Sequence, residues 1–138
     1  MGWSRAWGIG IEMFQVSVEE TFSSGHALRG YRGKCENVHG HNYRVRVTVE
    51  GPQLDSIGLL CDFTQIKQVL RGVIGVLDHQ FINDLEAFRT VNPSAENLAK
   101  YFYDEVSRQL TDLPAGARVT DTIVWETNTA SAQYRPGA

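Results

Sequence analysis

From Tyr43 to Glu50 the segment YRVRVTVE changes character at every second residue. In an extended chain this puts Tyr43, Val45, Val47 and Val49 on one side and Arg44, Arg46, Thr48 and Glu50 on the other. The pattern predicts a half-buried strand whose apolar row is covered by a second layer. Continued backwards through Asn42, the same alternation adds His41 and His39 to the apolar row, and Gly40 keeps the opposite face small. Imidazoles on a face meant for burial must find partners, because buried polar nitrogens without them cost free energy.

The other segments supply the covering layer. MFQVSVEETF (13–22) reads as a first strand ended by SSGH, and GPQLDSIG is a connection rich in turn formers. DFTQIKQVLRGVIGVL places Phe63, Ile66, Val69, Leu70, Val73, Ile74 and Leu77 at helical spacing, with Asp62 and Gln65 as a capping pair. A second helix, SAENLAKYFYDEVSRQL, starts at Pro93 and Ser94 and carries Leu98, Phe102, Val106 and Leu110 as its stripe. ARVTDTIVWE and ASAQYR then form a closing hairpin. The order strand-strand-helix-helix-strand-strand argues an α+β fold, a four-stranded antiparallel sheet with two helices on one face. Such an open sheet has two edges that need cover, so self-association across them is expected.

With 138 residues, 42% of them hydrophobic, the chain can bury its own core as one domain, assigned to residues 13–138. Residues 1–12 match nothing that follows and read as an N-terminal extension. A net charge of -3 gives no general attraction to a polyanion, so nucleic acid is a poor partner for this chain. Two cysteines suit a reducing compartment, no apolar run reaches the roughly 18 residues of a membrane span, and MGWSRAWGIGIE has no secretory pattern. A cytoplasmic protein is expected.

If the first strand returns antiparallel into the second, His26 comes beside His39 and His41. Three histidines with no fourth protein ligand form the pattern of a catalytic zinc with an open position. The alternatives are a set of hydrogen-bonded core histidines, or iron in a cupin-like site, which usually wants a carboxylate too. Cys35 has two readings. It could complete a structural Cys/His site, or, beside Lys34 and a cation, its thiol could fall below its usual roughly 8.5 and act as base or nucleophile. Cys61, in apolar GLLCDF, reads as a small buried residue. His79 follows Asp78 where the chain leaves the first helix. Alone it is a surface or capping histidine, but with a thiol and a metal it becomes a candidate acid/base oriented by the carboxylate. Glu126, in VWETN, is either a solvated carboxylate or one that holds an amidine-like edge by two hydrogen bonds.

SSGHAL, CENVHGHNY, LDHQFIND, NPSAENLA and VWETNTASAQYR, in this order and spacing, make the chain from about Phe14 to Arg135 resemble the 6-pyruvoyltetrahydropterin synthase family. Within it, the three residues between Cys35 and His39 look like the bacterial 6-carboxytetrahydropterin synthases of queuosine biosynthesis, since pyruvoyl-forming enzymes typically carry a longer insertion there. The resemblance implies a tunnelling fold that assembles through its sheet edges, commonly as a hexamer. It implies Zn2+ on His26, His39 and His41, Cys35 as catalytic base, and Asp78 with His79 in proton transfer. Glu126 would grip the pterin's 2-amino and ring N–H groups, with Glu96 and Ser94 nearby. The family usually has a hydroxyl residue before that helix glutamate, and here it is Ala95. The implied substrate is 7,8-dihydroneopterin triphosphate, the products 6-carboxy-5,6,7,8-tetrahydropterin, acetaldehyde and triphosphate. Arg29, Arg32 and Lys34 are expected as triphosphate contacts, with a solvated loop as the alternative. A pyruvoyl-forming or folate-pathway relative, and a non-catalytic zinc or pterin binder, are the competing functions.

Overall fold

The structure, a computed structural model, describes residues 12–33 and 36–137. The expectations for residues 1–11, Lys34 and Cys35 therefore lie outside the described residues. The element order agrees with the sequence reading. Strands β1 (Phe14–His26) and β2 (His39–Gly51) precede helices α1 (Phe63–Leu77) and α2 (Ala95–Gln109), and β3 (Arg118–Thr127) and β4 (Ala130–Tyr134) close the chain. The sheet is antiparallel throughout, in the order β1-β2-β3-β4. Both helices cover the same face, α1 against β1 and α2 against β3 and β4.

The period-two row of β2 is the centre of the core, with Tyr43, Val45, Val47 and Val49 fully buried. Val18 and Phe22 flank it from β1 and Val124 from β3, while Ile66, Leu70 and Leu77 of α1 and Leu98, Phe102 and Val106 of α2 press from above. Each such side chain contributes about 1.5–3 kcal/mol by leaving water. On the opposite face Glu19 accepts from Arg44 at 3.2 Å and from Arg46 at 2.8 Å, and the Arg44 guanidinium lies 3.8 Å from the Trp125 ring centroid. These are partly solvated pairs and add little to stability.

Three details depart from expectation. β1 does not stop at SSGH but runs on to His26. Its outer edge is paired there by the chain leaving α1, through His79 N–H to Ser23 C=O (2.6 Å) and Gly25 N–H to Gln80 C=O (3.0 Å), and the Ser24 hydroxyl donates to the Leu77 carbonyl. Asp62 caps α1 by accepting from Thr64 N–H at 2.8 Å, but the Gln65 amide reaches Asp112 C=O, so the capping pair is a single cap. Phe63, expected in the apolar stripe, stays exposed in the first turn. Among the described residues no helix is long and apolar enough to cross a membrane.

Candidate metal centre and ligand pocket

The β1–β2 register puts His26 opposite His39 and Ser24 opposite His41, so all three imidazoles emerge on the helix-covered face beside Tyr43. Their ring centroids are 4.4 to 5.1 Å apart. His26 is fully buried, and the other two are partly so. Backbone carbonyls fix the tautomers. His26 Nδ1 lies 2.7 Å from Pro93 C=O and His39 Nδ1 lies 2.7 Å from Asn37 C=O. A carbonyl can only accept, so both Nδ1 atoms carry the hydrogen, and the two Nε2 lone pairs then face each other at 2.9 Å. Two neutral imidazoles cannot hydrogen bond in that arrangement. His41 Nε2 is buried beside them with no hydrogen-bond partner among the described residues. Converging unpaired lone pairs are what a shared cation satisfies, and the three donor atoms lie within 4.8 Å of one another. The residues present therefore fit a metal ion.

Glu126 borders this cluster. It is the extra residue of a bulge, because Trp125 pairs with Ser131 and Thr127 with Ala130, and bulges re-aim side chains. Its carboxylate oxygens stand 3.7 Å from His26 Nε2 and 3.6 Å from His41 Nε2, too far for hydrogen bonds but close enough to interact electrostatically. On its other side lies a cavity of about 240 Å³ that Glu126 lines with Leu28, Ser94, Ala95, Glu96 and Ser131. The carboxylate thus borders both the imidazoles and a small pocket. Tyr43, beneath, has a buried hydroxyl without a partner among the described residues, and burial with the nearby negative Glu126 raises its pKa, so it remains protonated.

Burial lowers the pKa of His26 and of His41 from the ordinary 6.5, which keeps both neutral and ready to ligate near pH 7. Below pH 6.5 the unfolded chain takes up protons that the folded chain refuses, so acid favours unfolding. The metal-free protein is therefore expected to hold its melting temperature above pH 7 and to lose it progressively from pH 6.5 downward, as thermal scans across a pH series would measure. A flat profile through that window contradicts this account of the buried imidazoles.

Asp78 and His79 form a second group. The Asp78 carboxylate accepts from Ser23 N–H and from His79 Nδ1, both at 3.0 Å. The Ser23 bond first, and His79 after it, hold this carboxyl below its usual range. With Nδ1 donating to Asp78, Nε2 is the ring nitrogen of His79 that points away from that carboxylate. Its ring is 80% exposed and borders a cavity of about 490 Å³ that His41, Gly40, Val38 and Phe81 also line. His79 is the one non-glycine residue with positive φ (57°) among those described, a left-handed conformation that asparagine also tolerates. His79→Asn therefore keeps the backbone while removing the imidazole expected from the sequence to serve as acid/base. Unchanged thermal stability is expected with a kcat about 10²–10⁴-fold lower, to be checked by melting and turnover side by side.

The Arg29 guanidinium donates to Phe88 C=O at 2.7 Å and to Asn83 and Val91 C=O at 3.3 Å, so it anchors the 83–91 loop through three of its five N–H donors. Arg32 is exposed. Cys61 is buried, and burial pushes its thiol pKa up, in keeping with a role in packing alone. The contacts that the sequence reading missed are the two carbonyls that set the imidazole tautomers. Only Pro93 carried a signal, as a helix start.

Three imidazoles converge at one end of a two-layer α+β sheet of the tunnelling fold, where they could hold a metal ion beside a carboxylate that also lines a pocket. The chain belongs to the 6-pyruvoyl tetrahydropterin synthase family, whose model matches residues 15–137. It is 35% identical to the 6-carboxy-5,6,7,8-tetrahydropterin synthase of Bacillus subtilis (strain 168), over 89% of this chain and 86% of that protein. It is 37% identical to the 6-pyruvoyl tetrahydrobiopterin synthase of Drosophila melanogaster, over 66% of this chain and 62% of that one. The fold matches that of Caenorhabditis elegans 6-pyruvoyl tetrahydropterin synthase with a TM-score of 0.80 at 23% identity, covering 92% and 98% of the two chains. Family members are tetrahydropterin synthases, hence enzymes.

Proposed function

We propose that this chain is a zinc-dependent 6-carboxy-5,6,7,8-tetrahydropterin synthase that converts 7,8-dihydroneopterin triphosphate with release of acetaldehyde and triphosphate, within queuosine biosynthesis in the cytoplasm. The observation that supports the proposal is the convergence of His26, His39 and His41 beside Glu126, because a cation held there would lie next to a pocket lined by a carboxylate. The similarity to the Bacillus subtilis protein and the short spacing from Cys35 to His39 support the carboxy-forming reaction over the pyruvoyl-forming one.

His26, His39 and His41 would hold the ion through Nε2. When bound, zinc supplies Lewis acidity toward the hydroxyls of the substrate side chain. Glu126 would orient the pterin by accepting from its 2-amino and ring N–H groups, with Glu96 and Ser94 at the pocket wall. Ala95 offers no side-chain hydrogen bond there. Cys35, as thiolate, would remove a carbon-bound proton, and His79, held by Asp78, would exchange protons on the other side of the site. Arg29, Arg32 and Lys34 are the cations proposed for triphosphate. The edges of β1 before Ser23 and of β4 are the surfaces through which a homo-oligomer, a hexamer in this proposal, would form.

The test is triphosphate release from 7,8-dihydroneopterin triphosphate by the zinc-loaded protein. Release should vanish on chelation and return with added Zn2+. Release that survives complete metal removal contradicts the proposal.

A further inference from the structure

We propose that Asn83, Asn92 and Arg29 form a clamp that positions His26 for the metal and the start of α2 for the ligand pocket. The inference rests on the metal reading above.

After β1 ends, residues 27–29 have left the sheet, yet their backbone is still paired as if in a ladder. Ala27 N–H donates to Asn83 Oδ1 and Asn83 Nδ2 donates to Ala27 C=O, each at 2.9 Å. Arg29 N–H donates to Asn92 Oδ1 and Asn92 Nδ2 donates to Arg29 C=O, again at 2.9 Å. A primary amide offers an acceptor and donors side by side, so each asparagine stands in for one residue of a neighbouring strand. Asn83 is itself buried. The Arg29 guanidinium meanwhile gathers the Phe88, Asn83 and Val91 carbonyls, closing the loop against the same segment. Asn97 Nδ2 donates to Asn92 C=O at 2.9 Å, and Ser94 Oγ caps α2 by accepting from Asn97 N–H at 3.1 Å.

The bond that orients His26 lies inside this clamp. His26 directly precedes Ala27, and Pro93, whose carbonyl fixes the His26 tautomer, directly follows Asn92. The clamp therefore sets the distance between the two chains across which His26 Nδ1 donates. Ser94 and Glu96, which line the pocket beside Glu126, are carried by the same segment. Asn92 and Asn83 touch no site atom, so they are positioning residues that act through Pro93 and His26.

Two readouts on the full chain test this with Asn92→Ala. One is the imidazole ¹⁵N spectrum of the metal-free protein, which reports the His26 tautomer. The other is Zn2+ affinity by competition with a chromophoric chelator. A control, Val73→Ala, removes core packing in α1 away from the clamp. The wild type should show His26 with hydrogen on Nδ1, and Asn92→Ala should show mixed tautomers and a loss of about 10–100-fold in zinc affinity. Val73→Ala should change neither, even with a similar drop in melting temperature. If Asn92→Ala does not fold, Asn97→Ala, which removes only the bond to the Asn92 carbonyl, should shift both readouts in the same direction by less. Unchanged tautomer and affinity in a folded variant, or changes matched by the control, overturn the clamp. A wild type that binds no zinc while its tautomer still responds to Asn92 would overturn the metal reading and leave the clamp standing.

Discussion

His39→Ala is expected to fold and to lose the zinc binding proposed for the three imidazoles. The ring is only partly buried, and among the described residues its one bond besides the His26 contact is to Asn37 C=O two residues away, so its removal leaves no sealed cavity and little change in the stability of the metal-free chain. The loss falls on the cation. Binding free energies of structural zinc sites are of order 10–16 kcal/mol over four ligands, so one ligand carries about 3 kcal/mol, or roughly a hundredfold in affinity. Dialysis against a competing chelator followed by metal analysis should find the wild type loaded and the variant empty. If the imidazoles were simply hydrogen-bonded core residues, both proteins would come out empty.

Cys35→Ala is expected to do the opposite. Three imidazoles already supply the ligand set of an open zinc site, so zinc affinity should change by no more than a few-fold. Turnover should fall by about 10²–10⁴, the usual contribution of a positioned acid or base, equivalent to roughly 3–5 kcal/mol of barrier. Metal analysis and turnover on the same preparation separate the two readings of this thiol. Loss of metal in Cys35→Ala would assign Cys35 to a structural Cys/His site and remove it from the chemistry.

Much of the site was legible because it lies on the most regular part of the chain. The alternation from Tyr43 to Glu50 fixes which face His39 and His41 share, and an antiparallel return brings His26 to them without any further information. Legibility ended where pairing becomes irregular. The approach of Glu126 to the imidazoles depends on a bulge at that residue, and a second irregularity near Thr48 and Val49 shifts the β2–β3 register; neither leaves a mark in the residue types. Ser23 to Gly25 have the composition of a turn, but they are strand because residues 79–81 pair their outer edge, a contact spanning more than fifty positions. The anchoring role of Arg29 was hidden for a similar reason, since its hydrogen bonds go to carbonyls 54 to 62 positions away.

The closeness of both carboxy-forming and pyruvoyl-forming relatives makes product identity the central issue, since both reactions would use the same metal and pterin anchors. The most direct measurement is product analysis after the zinc-loaded protein acts on 7,8-dihydroneopterin triphosphate as sole substrate. The account predicts 6-carboxy-5,6,7,8-tetrahydropterin with acetaldehyde in equal amount. A 6-pyruvoyl product formed without acetaldehyde would contradict it.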